Sequence, residues 1–234
     1  MAHRDRQLAL SLTTPCGWGG RRPGAGRKPG PKPRIQHRSR VAFRRTSPAH
    51  VTVRVIGGLP SLRTIRIVRA VEHTFAKGCA RKGFRLVHYS LQGNHAHFIV
   101  EAQDREALGR GMMAIGTRLA RAVNRALGRS GRVLSDRYHV RLLPTPREVR
   151  NALRYVLLHA RHHVAAVRLA MTQAARLDPA SSARWFDGWK RKGSDIGEAE
   201  EDRPRKQSVA RPRTWLLTAG WRRHGLLDPA DVPG

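Results

Sequence analysis

Residues 93–102 read GNHAHFIVEA, and the fold turns on how that stretch is read. Phe98 is aromatic and Ile99 and Val100 are β-branched, so the spacing predicts a strand. Side chains two apart on a strand share a face, which puts His95 and His97 together, roughly 6–7 Å apart at their Cα atoms. Phe98 and Val100 then point the opposite way, toward a core. Taken singly, each histidine reads as a hydrogen-bonding residue. As a pair they need a chemical reason, because two imidazoles side by side repel once protonated and occupy a face the strand would otherwise bury.

Composition narrows that reason. The chain has 234 residues, enough for one ordinary domain with tails or two small ones, and its apolar content of 40% can supply a real core. Charge is the outlier: 46 Lys plus Arg against 16 Asp plus Glu give a formal +30. Arginine far outnumbers lysine, and its planar fork suits bidentate phosphate contacts. Such an excess costs stability by self-repulsion and fits a polyanionic partner. No apolar run approaches the about 20 residues of a spanning helix, and LALSL near the N-terminus is too short for a signal-peptide core, so no membrane partner is expected. Cys16 and Cys79 are too few and too far apart for a disulfide framework or zinc ribbon. A cytoplasmic, nucleoid-associated protein is the expectation.

The charge is also unevenly spread. Asp5 is the sole acid before Glu72, and residues 17–48 hold ten Arg or Lys among many Gly and Pro. Residues 1–48 therefore read as a disordered basic arm. Within it RRPGAGRKPGPKPR, with Arg21, Arg22, Arg27 and Lys28, loosely resembles a minor-groove-binding hook, though a plain cationic tail is the simpler reading.

An ordered domain is expected over 49–165. HVTVRVI is strand one; Leu62, Ile65, Val68, Val71 and Phe75 mark a helix over 62–79; FRLVHYSLQ and the opening stretch form a hairpin across Gly93-Asn94. A long helix over 104–128 follows, capped by Asp104, with the stripe Leu108, Met112, Ile115, Leu119 and Val123. Residues 131–143 read as a fourth strand or irregular hairpin, and residues 145–163 as a closing helix with Thr145 as cap and Pro146 at its first position. The order β-α-β-β-α-β-α predicts an α+β fold, a ferredoxin-like antiparallel sheet with helices packed on one face. Beyond it lie an aromatic and basic extension (166–192), a polar linker (193–211) and a small helical element (212–234) expected to pack Trp215 and Trp221 on the core. In the extension, Trp185 and Trp189 read equally well as base-stacking groups or as anchors that dock a short helix.

The closing helix carries the second half of the site. Val149, Ala152, Leu153, Val156 and Ala160 form its core stripe, and Tyr155 and His159 sit four apart beside it. A phenol and an imidazole are thus presented together at the edge of the core. Of the other tyrosines, Tyr89 lies on a strand and reads as a sheet residue, while Tyr138 is the alternative nucleophile, though it adjoins a strand and Asp136-Arg137 beside it suggests structural pairing.

His95-Ala96-His97 after a Gly-Asn turn, then SDRYHVRLL and a helical ALRYVLLHARHH, together resemble the HUH single-strand DNA transposases. The similarity is to the REP-associated and related single-tyrosine insertion-sequence transposases, and it covers about residues 48–165. The resemblance implies that His95 and His97 bind Mg²⁺ or Mn²⁺ and that Tyr155 attacks the scissile phosphate of single-stranded hairpin DNA, leaving a 5′-phosphotyrosine and a free 3′-OH. It leaves monomer and homodimer both open, since some relatives exchange the tyrosine helix between protomers. Four residues after the tyrosine such proteins usually carry Asn or Gln, where this chain has His159. His159 is then either a third ligand, with imidazole favouring Mn²⁺ or Zn²⁺ over Mg²⁺, or the mark of a weakened site in a protein that only binds DNA or RNA. Arg118 and Arg121 on the long helix read as a solvated or DNA-facing flank.

Overall fold

The structure, a computed structural model, describes Phe43 and residues 46–165, 177–190 and 206–231, with backbone alone for 160–165. Arg21, Arg22, Arg27, Lys28 and the rest of the basic arm, most of the linker, and the side chains of Ala160, His162 and His163 lie outside the described residues. All described residues belong to one compact unit, Arg40–Gly234.

Five strands, β1 (Ser47–Arg54), β2 (Ala80–Arg81), β3 (Phe84–Leu91), β4 (His95–Ala102) and β5 (His139–Leu142), form one antiparallel sheet in the order β2-β3-β4-β1-β5. Helix α1 (Ile65–Ala76) carries the chain from β1 over to β3, and α2 (Arg105–Leu127) from β4 over to β5. Each crossover leaves room for one antiparallel strand between its ends. Two interleaved split crossovers of this kind make the ferredoxin-like arrangement.

The pleat sorts side chains to two faces. Ala96, Phe98 and Val100 of β4 join Val51 and Val53 of β1 beneath α1 and α2, the expected helix layer. The whole predicted stripe of α2 is buried, and Asp104 accepts from Ala107 N at 2.7 Å as its cap. On α1 the phase differs from expectation. The helix begins only at Ile65, which is 52% exposed, and Ile67 fills the core in its place. The predicted fourth strand is likewise shorter, four residues opposite Ala49–Thr52.

Helix α3 (Pro146–Ala165) lies against the other face, where Val149, Leu153, Val156 and Leu157 pack on Val87 and Ile99. Its start is the predicted cap: Glu148 N donates to Thr145 Oγ1 at 3.3 Å, and Thr145 Oγ1 donates to Glu148 Oε2 at 2.8 Å. A bulge at Val87 turns both Val87 and His88 to this face and returns Tyr89 to the α1–α2 core.

The C-terminal segments complete the α3 side. The stretch around Trp185 is a single 3-10 turn, Ala183–Trp185, and its aromatics dock: Trp189 Nε1 donates to Ala183 O at 3.1 Å, and Phe186 lies 5.0 Å from Trp189 and 5.4 Å from Trp221. Trp221 is buried as expected. Trp215, which opens the short helix α4 (Trp215–Thr218), is instead 49% exposed beneath the Arg223 guanidinium. The end of the predicted linker also packs, with Ser208 Oγ 3.0 Å from Tyr89 Oη and Ala210 N donating to Leu86 O.

One buried carboxylate ties this segment down. Glu101 accepts from Arg213 N, Thr214 N and Thr214 Oγ1 at 2.6–3.0 Å, with Arg85 at 3.6 Å. Glu101→Ala should strip four donors of their partner and cost about 3–5 kcal/mol. Urea unfolding reads that loss, and limited trypsin digestion should show faster cutting at Arg211 and Arg213.

Candidate functional site

Strand β4 brings His95 and His97 to the α3 face, and α3 brings Tyr155 and His159 down to meet them. Ring centroids lie 4.7 Å apart for His95–His97, 4.9 Å for His97–His159, 5.1 Å for His97–Tyr155 and 4.6 Å for Tyr155–His159. His97 and His159 are buried and His95 is half-buried at the opening. The other tyrosines are elsewhere: Tyr89 is buried in the α1–α2 core and Tyr138 packs at its margin, on the far side of the sheet.

Two further residues belong to the cluster. Register pairs Thr52 of β1 directly with His97, and His50 follows two residues away on the same face. His97 Nδ1 sits 3.1 Å from both Thr52 Oγ1 and His50 Nε2. Neither was expected from the sequence. The available signal was that His50 and Thr52 alternate outward from Val51 and Val53, but what they would face depends on the pairing with β4.

Burial holds His97 and His50 neutral. His97 is lowered to about 2, chiefly by desolvation and then by the charges that His50, His95 and His159 would carry. His50 is lowered to about 4 by burial, with Arg141 and His139 adding to it. Burial also raises the Tyr155 phenol above its ordinary value. Neutral imidazoles are ligands, and the nitrogens of His95, His97 and His159 all lie within 4.8 Å of one another.

The hydrogen-bond pattern tests whether an ion fits. Asn94 Oδ1 lies 2.8 Å from His95 Nδ1, and an amide oxygen only accepts, so Nδ1 carries a proton and a neutral His95 presents Nε2 as a lone pair. That lone pair faces His97 Nε2 at 3.1 Å. With Thr52 donating to His97 Nδ1, His97 Nε2–H donates to His95. With His97 Nδ1–H donating to Thr52 or His50, two lone pairs face each other, an arrangement that a cation between them would satisfy. A separation of 3.1 Å matches adjacent nitrogens on one ion with bonds near 2.1 Å, which sit about 3.0 Å apart. One ion spans at most about 4.2 Å between nitrogens, and only when they lie opposite each other, so a separation of 4.8 Å must close in by about 0.6 Å or more. The residues fit a divalent ion, and Asn94, Thr52 and His50 would orient the three histidines toward it from behind.

Of the expected nucleic-acid contacts, Arg118 and Arg121 lie away from the cluster, in a groove between α1 and α2 on the opposite sheet face.

The depressed histidines predict a pH dependence for the metal-free protein. His88, fully buried with Nδ1 3.1 Å from Ser182 Oγ, is lowered to about 3 and joins His50 and His97. The unfolded chain binds protons near pH 6.5 that the fold refuses, so stability is full above about pH 7 and falls as pH drops below about 6.5. Urea midpoints between pH 8 and 5 should fall with a slope of up to about three protons, and His88→Gln should remove about one.

Comparison with known proteins finds similar solved structures, two of which are described below, and nothing by sequence: neither a family model nor a curated protein matches. One structure is a REP-associated tyrosine transposase bound to a REP hairpin, 14% identical, covering 55% of this chain and 74% of its own at TM-score 0.43. The other is a candidate transposase from Deinococcus radiodurans R1, 14% identical, covering 46% of this chain and 85% of its own at TM-score 0.35.

Proposed function

We propose that this chain is a single-strand DNA transposase of the REP-associated tyrosine type, cutting and rejoining DNA beside a hairpin element through Tyr155. One observation carries the reading: a helix-borne tyrosine stands over a sheet histidine pair, one helical turn from a third histidine, in a site closed on its core side.

Each group has a task. Tyr155 Oη attacks phosphorus, the bond from phosphorus to the 3′-oxygen breaks, that oxygen takes up a proton, and the 5′ phosphate stays on Tyr155. Attack by the free 3′-OH of another strand reverses the step. Because burial raises the phenol, ionisation is the demanding event, and neutral His97 adds no charge of its own to promote it. His95, His97 and His159 would hold a divalent ion, whose charge stabilises the phosphoryl oxygens and favours phenolate. Three nitrogen donors favour Mn²⁺ over Mg²⁺. Packing of α3 against Val87 and Ile99 fixes Tyr155 in place, which confines attack to one direction.

Affinity comes from elsewhere. His73, Lys77, Arg81, Arg118, Arg121 and Arg125 line the α1–α2 groove of about 580 Å³, and no carboxylate lines it. Arg21, Arg22, Arg27 and Lys28 of the arm would add sequence-tolerant contacts by counterion release. Such a protein works where its DNA is, in the cytoplasm with the nucleoid. No helix among the described residues is long and apolar enough to cross a membrane.

A denaturing gel with labelled single-stranded hairpin DNA and Mn²⁺ tests the chemistry. The wild type should leave a denaturation-resistant adduct, lost with chelator, in His97→Ala and in Tyr155→Phe, and kept at least in part by Tyr138→Phe. An adduct that survives Tyr155→Phe overturns the assignment. No adduct in the wild type favours the binding-only reading that His159 raises. Replacing Arg118, Arg121 and Arg125 together by Gln should lower the salt dependence of DNA affinity by about two to three in log–log slope, at about 0.7–0.9 per lost phosphate contact, and leave the cleavage position unchanged.

A further inference from the structure

Tyr155 borders two spaces. On one side are the histidines; on the other is a recess of about 420 Å³, toward the small end of ligand-sized clefts of roughly 300–1,000 Å³. Its lining includes His50, Arg141, Leu143, Glu148, Asn151 and Arg154. Buried Leu143 gives it an apolar floor.

The charges in this recess are matched within the protein. Arg141 pairs with Glu148 at 3.1 Å, and Arg154 pairs with Asp231 at 3.6 Å. Glu148 is itself fixed by the Thr145 hydroxyl. A phosphate entering here would meet a carboxylate and two guanidiniums already engaged, unlike the α1–α2 groove, whose cations have no carboxylate among them. What the recess offers is an apolar floor, an exposed amide on α3, and the remaining N–H groups of Arg141. An uncharged planar heterocycle is the ligand that matches that set.

We infer that this recess receives a purine base of the DNA strand, the base next to the bond that Tyr155 attacks. The side chains select a purine because Asn reads the donor–acceptor edge of adenine and Arg the acceptor edge of guanine. Placement next to the cut follows from Tyr155, which lines the recess and also touches His97. Seating the base holds the strand so that its phosphate faces the phenol, and it makes the choice of cut site partly a choice of base.

This inference rests on Tyr155 as nucleophile, and the test separates the two. Single-stranded oligonucleotides carry A, G, C, T or an abasic site at each position flanking the cut, and adduct rate is measured for the wild type, Asn151→Ala and Arg141→Gln. The wild type should favour a purine over an abasic site at one flanking position by about tenfold or more, and Asn151→Ala should bring the purine strand's rate down toward that of the abasic strand. Asn151 is exposed on α3, where alanine is a good helix former, so folding is retained. A second arm needs no chemistry: affinities of Tyr155→Phe for purine and abasic strands are compared by anisotropy, with and without Asn151→Ala. A purine preference that Asn151→Ala abolishes supports the recess even where no adduct forms. Equal affinity for purine and abasic strands, or a preference that both Asn151→Ala and Arg141→Gln leave untouched, overturns it.

Discussion

A strand covered on both faces leaves no polar side chain in water, and β4 is such a strand. From Ala96 to Ala102 every residue is buried. Its α1–α2 side carries apolar groups and raises no difficulty. Its α3 side carries His97 and Glu101, beside His50 and Thr52 of β1 and His88 and Ser90 of β3, and each must find a partner or cost the fold the full penalty of an unsatisfied buried group. Much of the remaining structure supplies those partners. Thr52 and His50 meet His97, Ser182 meets His88, Gln92 meets Ser90, and the backbone at Arg213 and Thr214 meets Glu101. The C-terminal segments sit where they do because the sheet presents polar groups there.

The same burial prepares the site chemically. Desolvation favours neutral imidazole, and a neutral ring with one nitrogen fixed by a hydrogen bond presents the other as a lone pair. His95 is fixed by Asn94 and His97 by β1, so their Nε2 atoms converge. Packing energy from α3 holds Tyr155 and His159 over them. Here the apolar contacts of Val149, Leu153 and Val156 set the position of the Tyr155 phenol, linking core packing to the geometry of the candidate site.

The two faces of the sheet differ in how they treat charge. The α1–α2 groove gathers cations with no carboxylate among them, an arrangement that attracts polyanions at a distance and depends on salt. Beside Tyr155 the guanidiniums are paired with carboxylates, which leaves directional hydrogen bonding with little net field. Under the proposed function, binding strength and discrimination would fall on opposite faces of the sheet.

Local pattern settled a good part of this in advance. The two-residue period of GNHAHFIVEA put His95 and His97 on one face, the 3.6-residue period of α2 and its Asp104 cap marked a buried helix, and the spacing of Tyr155 and His159 put them on adjoining turns. These are properties of one segment, fixed by bond geometry over a few residues. Tertiary structure decided the rest. His50 has no local mark, and it joins the site because β1 pairs with β4 in a register that sets Thr52 opposite His97, 45 residues along. Glu101 reads as an acid near a strand end, yet it is buried because the chain returns at Arg213, 112 residues on. Trp215 and Trp221 look alike in sequence, and only packing against Phe186 separates the buried one from the exposed. Contacts between distant segments are chosen by the combined burial of many side chains, and no short window of sequence contains that sum.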